Sequence, residues 1–139
     1  MRILGIDYGD ARTGIAITDA LNITAQGLET IHNEGSDRAI LRRLDKIIEQ
    51  YKVDTIVVGK PINMNGTPSE RTEKTEQFIH KLKCKYNKLK IETVYERLTT
   101  VAAHKTMNFL DVNKNKKKNI VDTISAVYIL ETYLNKIKN

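Results

Sequence analysis

Residues 3–18, ILGIDYGDARTGIAIT, decide how this chain is read. A short apolar run, Ile3, Leu4, Gly5 and Ile6, ends on Asp7. Tyr8-Gly9-Asp10-Ala11-Arg12 supplies the residues at which a chain reverses, and Thr13 to Thr18 is a second β-forming run. The pattern predicts a hairpin of two strands. Asp7 is the odd residue, because a carboxylate at the end of a buried strand costs roughly several kcal/mol in desolvation unless something compensates it. A bound metal ion is one compensation. A turn that the side chain caps is the other, and the hairpin alone leaves both open.

Outward from the hairpin, Ile23 to Ile31 reads as a third strand that extends an antiparallel meander. Asn33-Glu34-Gly35 is a loop, and Ser36 is placed to cap a helix running to Tyr51. Ile40, Leu41, Leu44, Ile47, Ile48 and Tyr51 fall on one face of that helix. Thr55-Ile56-Val57-Val58, ending at Gly59, is short, apolar and β-branched, the signature of a strand buried on both faces. Residues 60–67 form a loop, and Thr67-Pro68-Ser69-Glu70 predicts a helix start with Thr67 as its cap, continuing to about Tyr86. The first half of this helix, Glu70 to Gln77, is polar almost all round and is expected to protrude into water. Ile91 to Tyr95 is a fifth strand ending at Glu96. A short helix follows from Val101 to about Leu110, then a basic loop, Asn113 to Asn119, and a last helix from Ile120 to about Lys136. The order βββαβαβαα fits one domain over residues 1–139: a mixed five-stranded sheet with strands one, four and five parallel and strands two and three antiparallel beside strand one. In such sheets ligands gather beyond the carboxyl ends of the parallel strands. Those ends carry Asp7, the loop from Lys60 to Thr67, and Glu96.

The 139 residues suffice to bury a core, and 40% hydrophobic with 29% charged residues is ordinary for a globular chain. The single cysteine, Cys84, excludes an internal disulfide and fits a reducing cytoplasm. No apolar run is long enough to span a bilayer, and Asp7 interrupts the N-terminal run too early for a signal peptide. No membrane role is expected. The net charge is +6, from 23 basic and 17 acidic residues, which suggests a polyanionic partner. With no Trp and two Phe, base stacking on exposed aromatics is not expected to be the main binding mode.

The last helix supplies a third acid. Asp122, Ala126, Ile129, Leu130, Tyr133 and Ile137 form one helical stripe, apolar except at its head. Asp122 therefore lies on the face that packs against the sheet. If its end of the helix sits over the carboxyl end of strand one, Asp122 meets Asp7; the alternative is a first-turn Asp favoured only by the helix dipole. Three carboxylates in one place repel one another, and Mg²⁺ (or Mn²⁺) relieves this because hard cations take oxygen ligands. Arg12, Lys60, Arg97, Lys114, Lys116, Lys117 and Lys118 would then hold a phosphodiester backbone. Acids for metal and bases for phosphate are the parts of metal-assisted phosphodiester hydrolysis. If strand four separates strands one and five, Glu96 starts about 10 Å from Asp7 at about 4.8 Å per strand step. Its side chain or the loop after Tyr95 has to close that gap.

Four stretches also resemble a known family. Gly5-Ile6-Asp7-Tyr8-Gly9 with Arg12 and Gly14; Val57-Val58-Gly59 with Pro61 and Asn63-Met64-Asn65-Gly66-Thr67; Glu96-Arg97-Leu98-Thr99-Thr100; and Val121-Asp122 with Ala126 look like the motifs of the YqgF (RuvX) family, in order and over nearly the whole chain. The resemblance implies an RNase H-like fold and a nuclease, described for the family as acting on pre-16S rRNA and, from similarity to RuvC, as a Holliday junction resolvase. It implies Asp7, Glu96 and Asp122 as the catalytic, metal-binding acids. The expected partner is nucleic acid, ribosomal particles included, and the chain is expected to be a monomer or weak dimer. Three positions depart from the family pattern: Tyr95 stands at a usual Asp, Lys60 at a usually apolar residue and Ser125 at a usual Ala.

Three readings compete. The first is an Mg²⁺-dependent nuclease for structured RNA, most simply a ribosomal RNA precursor, with branched DNA as the alternative substrate of the same site. The second is a phosphoryl transferase of the actin-like type, whose opening hairpin is similar; such proteins enclose ATP between two domains, and this chain has one. The third is a non-catalytic nucleic-acid-binding module, against which the three acids count, because uncompensated negative charge weakens phosphate binding.

Overall fold

The computed structural model describes residues 2–63, 65–97 and 114–138, the side chains of residues 97 and 114–122 excepted. Five strands, β1 (Arg2–Asp7), β2 (Arg12–Thr18), β3 (Ala25–His32), β4 (Val53–Ile62) and β5 (Lys90–Arg97), form one sheet in the order β3-β2-β1-β4-β5. β1 pairs antiparallel with β2 and parallel with β4, and β4 pairs parallel with β5. This is the mixed sheet that the sequence predicts.

Alternation along the strands sorts side chains onto two faces. Leu4, Ile6, Ile15, Ile17, Ile56 and Val58 join α1 (Asp37–Tyr51) and α2 (Glu70–Lys85) in one core. Ile3, Ala16, Val57 and Val94 face the other way and join the last helix, α3 (Lys114–Lys138), through Ala126, Ile129, Leu130, Tyr133 and Leu134. The fold is three layers with the sheet in the middle. Gly5 lets α3 lie close, since a Cβ there would stand 3.0 Å from the Ala126 carbonyl oxygen and from Leu130 Cβ.

α1 starts where Ser36 accepts from the Arg38 amide at 3.1 Å, and it stops at Lys52, whose left-handed backbone (φ 54°) returns its N–H to Ile48 O. α2 does not start on Thr67. Pro68 bridges antiparallel to Ile62, which keeps the backbone extended as far as Ser69, and Ser69 is the cap. The Ser69 side chain accepts from Thr72 N, and the Thr72 hydroxyl accepts from Ser69 N. Nor does the first half of α2 protrude. Thr72 and Thr75 are buried, and the Thr72 hydroxyl donates to the Pro61 carbonyl. Threonines occupy the inward positions there, so a buried stripe looks polar in the sequence. β4 runs past the expected Val58 to Ile62 because β5 pairs with it along that length. The expected basic loop is also corrected: residues 114–119 belong to α3, whose helix starts before the apolar stripe does. The helix expected over Val101–Leu110 lies outside the described residues.

Candidate active site

The carboxyl end of β1 is set by a latch from β3. Asn33, buried at the end of that strand, donates through Nδ2 to the carbonyls of Gly9 at 2.6 Å and Asp10 at 3.1 Å. Its Oδ1 accepts from the Thr13 hydroxyl at 3.0 Å, and its N–H reaches Ala11 O at 2.9 Å. Every polar group of this side chain serves the turn that follows Asp7. Tyr8 closes the other side: its ring stacks on Phe78 at 4.3 Å between centroids, and its hydroxyl donates to Asp37 at 2.6 Å. Burial and the Asp37 carboxylate hold this phenol well above its usual range, so it stays protonated. Asn33 read as loop from sequence; only its position beside the turn reveals its role.

Asp7 and Glu96 are both buried, with 9% and 4% of their surfaces exposed. Asp7 continues the odd-numbered face of β1 with Ile3 and Gly5, and Glu96 the even-numbered face of β5 with Val94, so both lie on the α3 side of the sheet. Two strand steps separate β1 from β5, with β4 between them. Gly59 makes this gap passable. A Cβ at Gly59 would sit 2.8 Å from Glu96 Oε2 and 2.3 Å from Ile129 Cδ1. Glu96 is paired in register with Pro61, beyond Gly59, so its side chain leans back across the bare backbone of β4 toward the level of Asp7. Of the two expected routes across the gap, the Glu96 side chain reaches as far as Gly59 on β4; the loop after Arg97 lies outside the described residues.

The backbone of α3 carries Asp122 one turn before Ala126. Ala126 and Leu130 pack on Gly5, whereas Leu134 and Asn135 flank Ala25, which is paired with Thr18 level with the start of β1. The helix thus descends toward the starting end of β1, and Asp122 lies on the turn nearer the carboxyl end, where Asp7 stands. Among the described side chains no three His, Cys, Asp or Glu groups converge on one point, and that of Asp122 is outside the set. Two buried carboxylates on one face, beside a strand kept bare by glycine, fit a hard divalent cation.

The basic residues divide. Arg12 opens β2 beside the turn after Asp7, and Arg97 directly follows Glu96. Lys114, Lys116, Lys117 and Lys118 occupy the first turns of α3. Lys60 turns to the opposite face, where its ammonium pairs with Glu76 of α2 at 2.8 Å and lies 5.5 Å from the Tyr95 ring centroid. Two departures from the family pattern, Lys60 and Tyr95, are therefore direct cross-strand partners. Arg71 was not singled out in the sequence. It donates to the Tyr8 carbonyl at 3.1 Å, beside the end of β1.

A family model described as "RuvX: Holliday junction resolvase" matches residues 1–136. A protein of Ruminiclostridium cellulolyticum is 55% identical over 139 residues, covering 99% of this chain and 96% of the relative, and one of Acetivibrio thermocellus is 50% identical over 134 residues, covering 96% and 95%. Both bear the name "Putative pre-16S rRNA nuclease". Among solved structures, the Fowlpox virus Holliday junction resolvase superposes with a TM-score of 0.61 at 15% identity, over 99% of both chains. RuvC of Thermus thermophilus, in complex with a Holliday junction substrate, gives 0.56 at 11% identity over 99% of this chain and 96% of that one. At these identities the structural likeness establishes the fold, which is RNase H-like.

Proposed function

Because the chain belongs to the RuvX family, we propose that it is a divalent-metal-dependent endonuclease that processes the 5′ end of pre-16S rRNA in the cytoplasm. The observation that supports this most is the pair of buried carboxylates, Asp7 and Glu96, on one face at the carboxyl ends of β1 and β5. Asp7, Glu96 and Asp122 would hold Mg²⁺ or Mn²⁺. Such an ion, held by these acids, would supply positive charge beside the reacting phosphate and lower the pKa of a water. The chain's own residues set the stage for this. Asn33 and Tyr8 fix the turn that holds Asp7, and burial of the two carboxylates keeps their charge from being screened by solvent. Arg12, Arg97 and the lysines at 114, 116, 117 and 118 would hold phosphates of the substrate strand, contacts that position it without reading its sequence. Lys60 contributes least in this reading, since Glu76 already occupies its ammonium.

The family description also names a junction resolvase, so the test offers both substrates. Purified chain with Mg²⁺ or Mn²⁺ is given precursor rRNA and a four-way DNA junction side by side. Cleavage of the rRNA is expected, and Asp7→Asn should lower it at least about 100-fold, since removing a group that merely supports a metal ligand already costs about 10- to 100-fold. Near-normal turnover in Asp7→Asn would overturn the metal site. Cleavage of the junction alone would move the substrate to branched DNA.

A further inference from the structure

The cations nearest the carboxyl end of β1 on the α1/α2 side are mostly neutralised. Lys74 pairs with Asp10 at 3.4 Å, Lys81 with Asp37 at 2.7 Å and Lys60 with Glu76 at 2.8 Å. Arg71 differs. It is partly buried at the second position of α2, and among the described residues its guanidinium has no carboxylate within ion-pair distance. Its one hydrogen bond there goes from Nη2 to the carbonyl oxygen of Tyr8, the residue after Asp7. A guanidinium has five N–H donors in a planar fork, so most remain available. A partly desolvated cation without a counter-charge is costly unless an anion meets it. The capping box at Ser69 and Thr72 fixes the turn that carries Arg71, and the free N–H groups of that helix end add positive potential. The fork of a guanidinium matches the oxygens of a phosphate.

We propose that Arg71 is a substrate-positioning residue: it binds a backbone phosphate flanking the scissile one while holding the Tyr8 carbonyl, and so ties the substrate strand to the turn that carries Asp7. This rests on the nuclease reading above. The acids lie on the α3 side of the sheet and α2 on the other, so a strand crossing the carboxyl edge would meet the acids and Arg71 at different phosphates.

The test is a salt titration of binding to a labelled precursor rRNA fragment, in the full chain carrying Asp7→Asn so that the probe stays intact. Arg71→Gln keeps an N–H donor for Tyr8 but removes the charge. It should weaken binding and lower the slope of log affinity against log salt by about 0.7 to 0.9, the loss of one phosphate contact. Arg71→Lys, which keeps the charge, should retain the parent slope. A parent slope in Arg71→Gln would overturn the proposal and leave Arg71 as a structural latch. So would an equal reduction in both variants, because charge would then not be the cause. If the Asp7→Asn parent shows no salt-dependent RNA binding, the nuclease reading falls and this inference with it.

Discussion

At the scale of single residues, Gly59 carries the most consequence. Its missing Cβ leaves the space on β4 into which the Glu96 side chain, rooted two strands from Asp7, leans. Ile129 presses into the same space from α3. Gly59→Ala should therefore cost about 1–3 kcal/mol of stability through overpacking. It should also displace the Glu96 carboxylate, so that turnover falls by more than the lost folded fraction explains. Thermal melts and cleavage rates, measured at a temperature where both proteins are fully folded, separate the two effects. Normal turnover in the folded variant would show that Glu96 does not need to cross β4 there.

At the scale of elements, α1 and α2 are strapped together away from the site. The Tyr86 hydroxyl donates to Asp45 at 2.6 Å and reaches the Leu41 carbonyl at 3.2 Å, and Lys85 pairs with Asp45 at 3.0 Å. Burial alone would raise the Asp45 pKa, but the Tyr86 hydroxyl and the Lys85 ammonium together hold it below the ordinary value of 3.8. A lowered folded pKa means stability that is present above the ordinary value and lost as pH falls through the folded one. Tyr86→Phe is expected to cost about 1 kcal/mol at pH 7, given the partial exposure of the pair. The difference should shrink as pH falls below 3.8. Urea denaturation of both proteins at pH 7 and pH 3 checks this, and a pH-independent difference would assign the loss to the Leu41 bond and to packing.

At the scale of the whole molecule, the charges are sorted by place rather than by amount. The net charge is +6, yet buried acids stand at the carboxyl edge of the sheet. A cation that binds only the folded chain should stabilise it, by about 2.7 kcal/mol when present at 100 times its dissociation constant. That is a rise of several degrees in melting temperature for a domain of this size. Mn²⁺ should produce this shift in the natural chain and little or none in Asp7→Asn. Equal shifts in both would place the metal elsewhere.

The fold was largely legible in the sequence because its signals are local and periodic. The opening hairpin, the buried parallel strand at Thr55–Val58 and the amphipathic α1 each announce themselves within a dozen residues, and chain order then leaves few ways to arrange the sheet. Asp7 was legible too, since it ends an apolar run on a carboxylate, and the structure buries it. Hydrophobic pattern failed where polar residues do buried work, as Thr72 and Thr75 do in α2, and where the helical stretch begins in lysines, as α3 does. Contacts between segments far apart in the chain were beyond its reach. That Asn33 latches the turn after Asp7, that Arg71 meets Tyr8 63 positions away, that Lys60 turns from the acids to Glu76 and that Gly59 yields its space to Glu96 were decided only by the tertiary structure. The reason is physical: a side chain's local sequence fixes the element it stands on and the face it takes, but its partner is whatever the packing of other elements brings within reach.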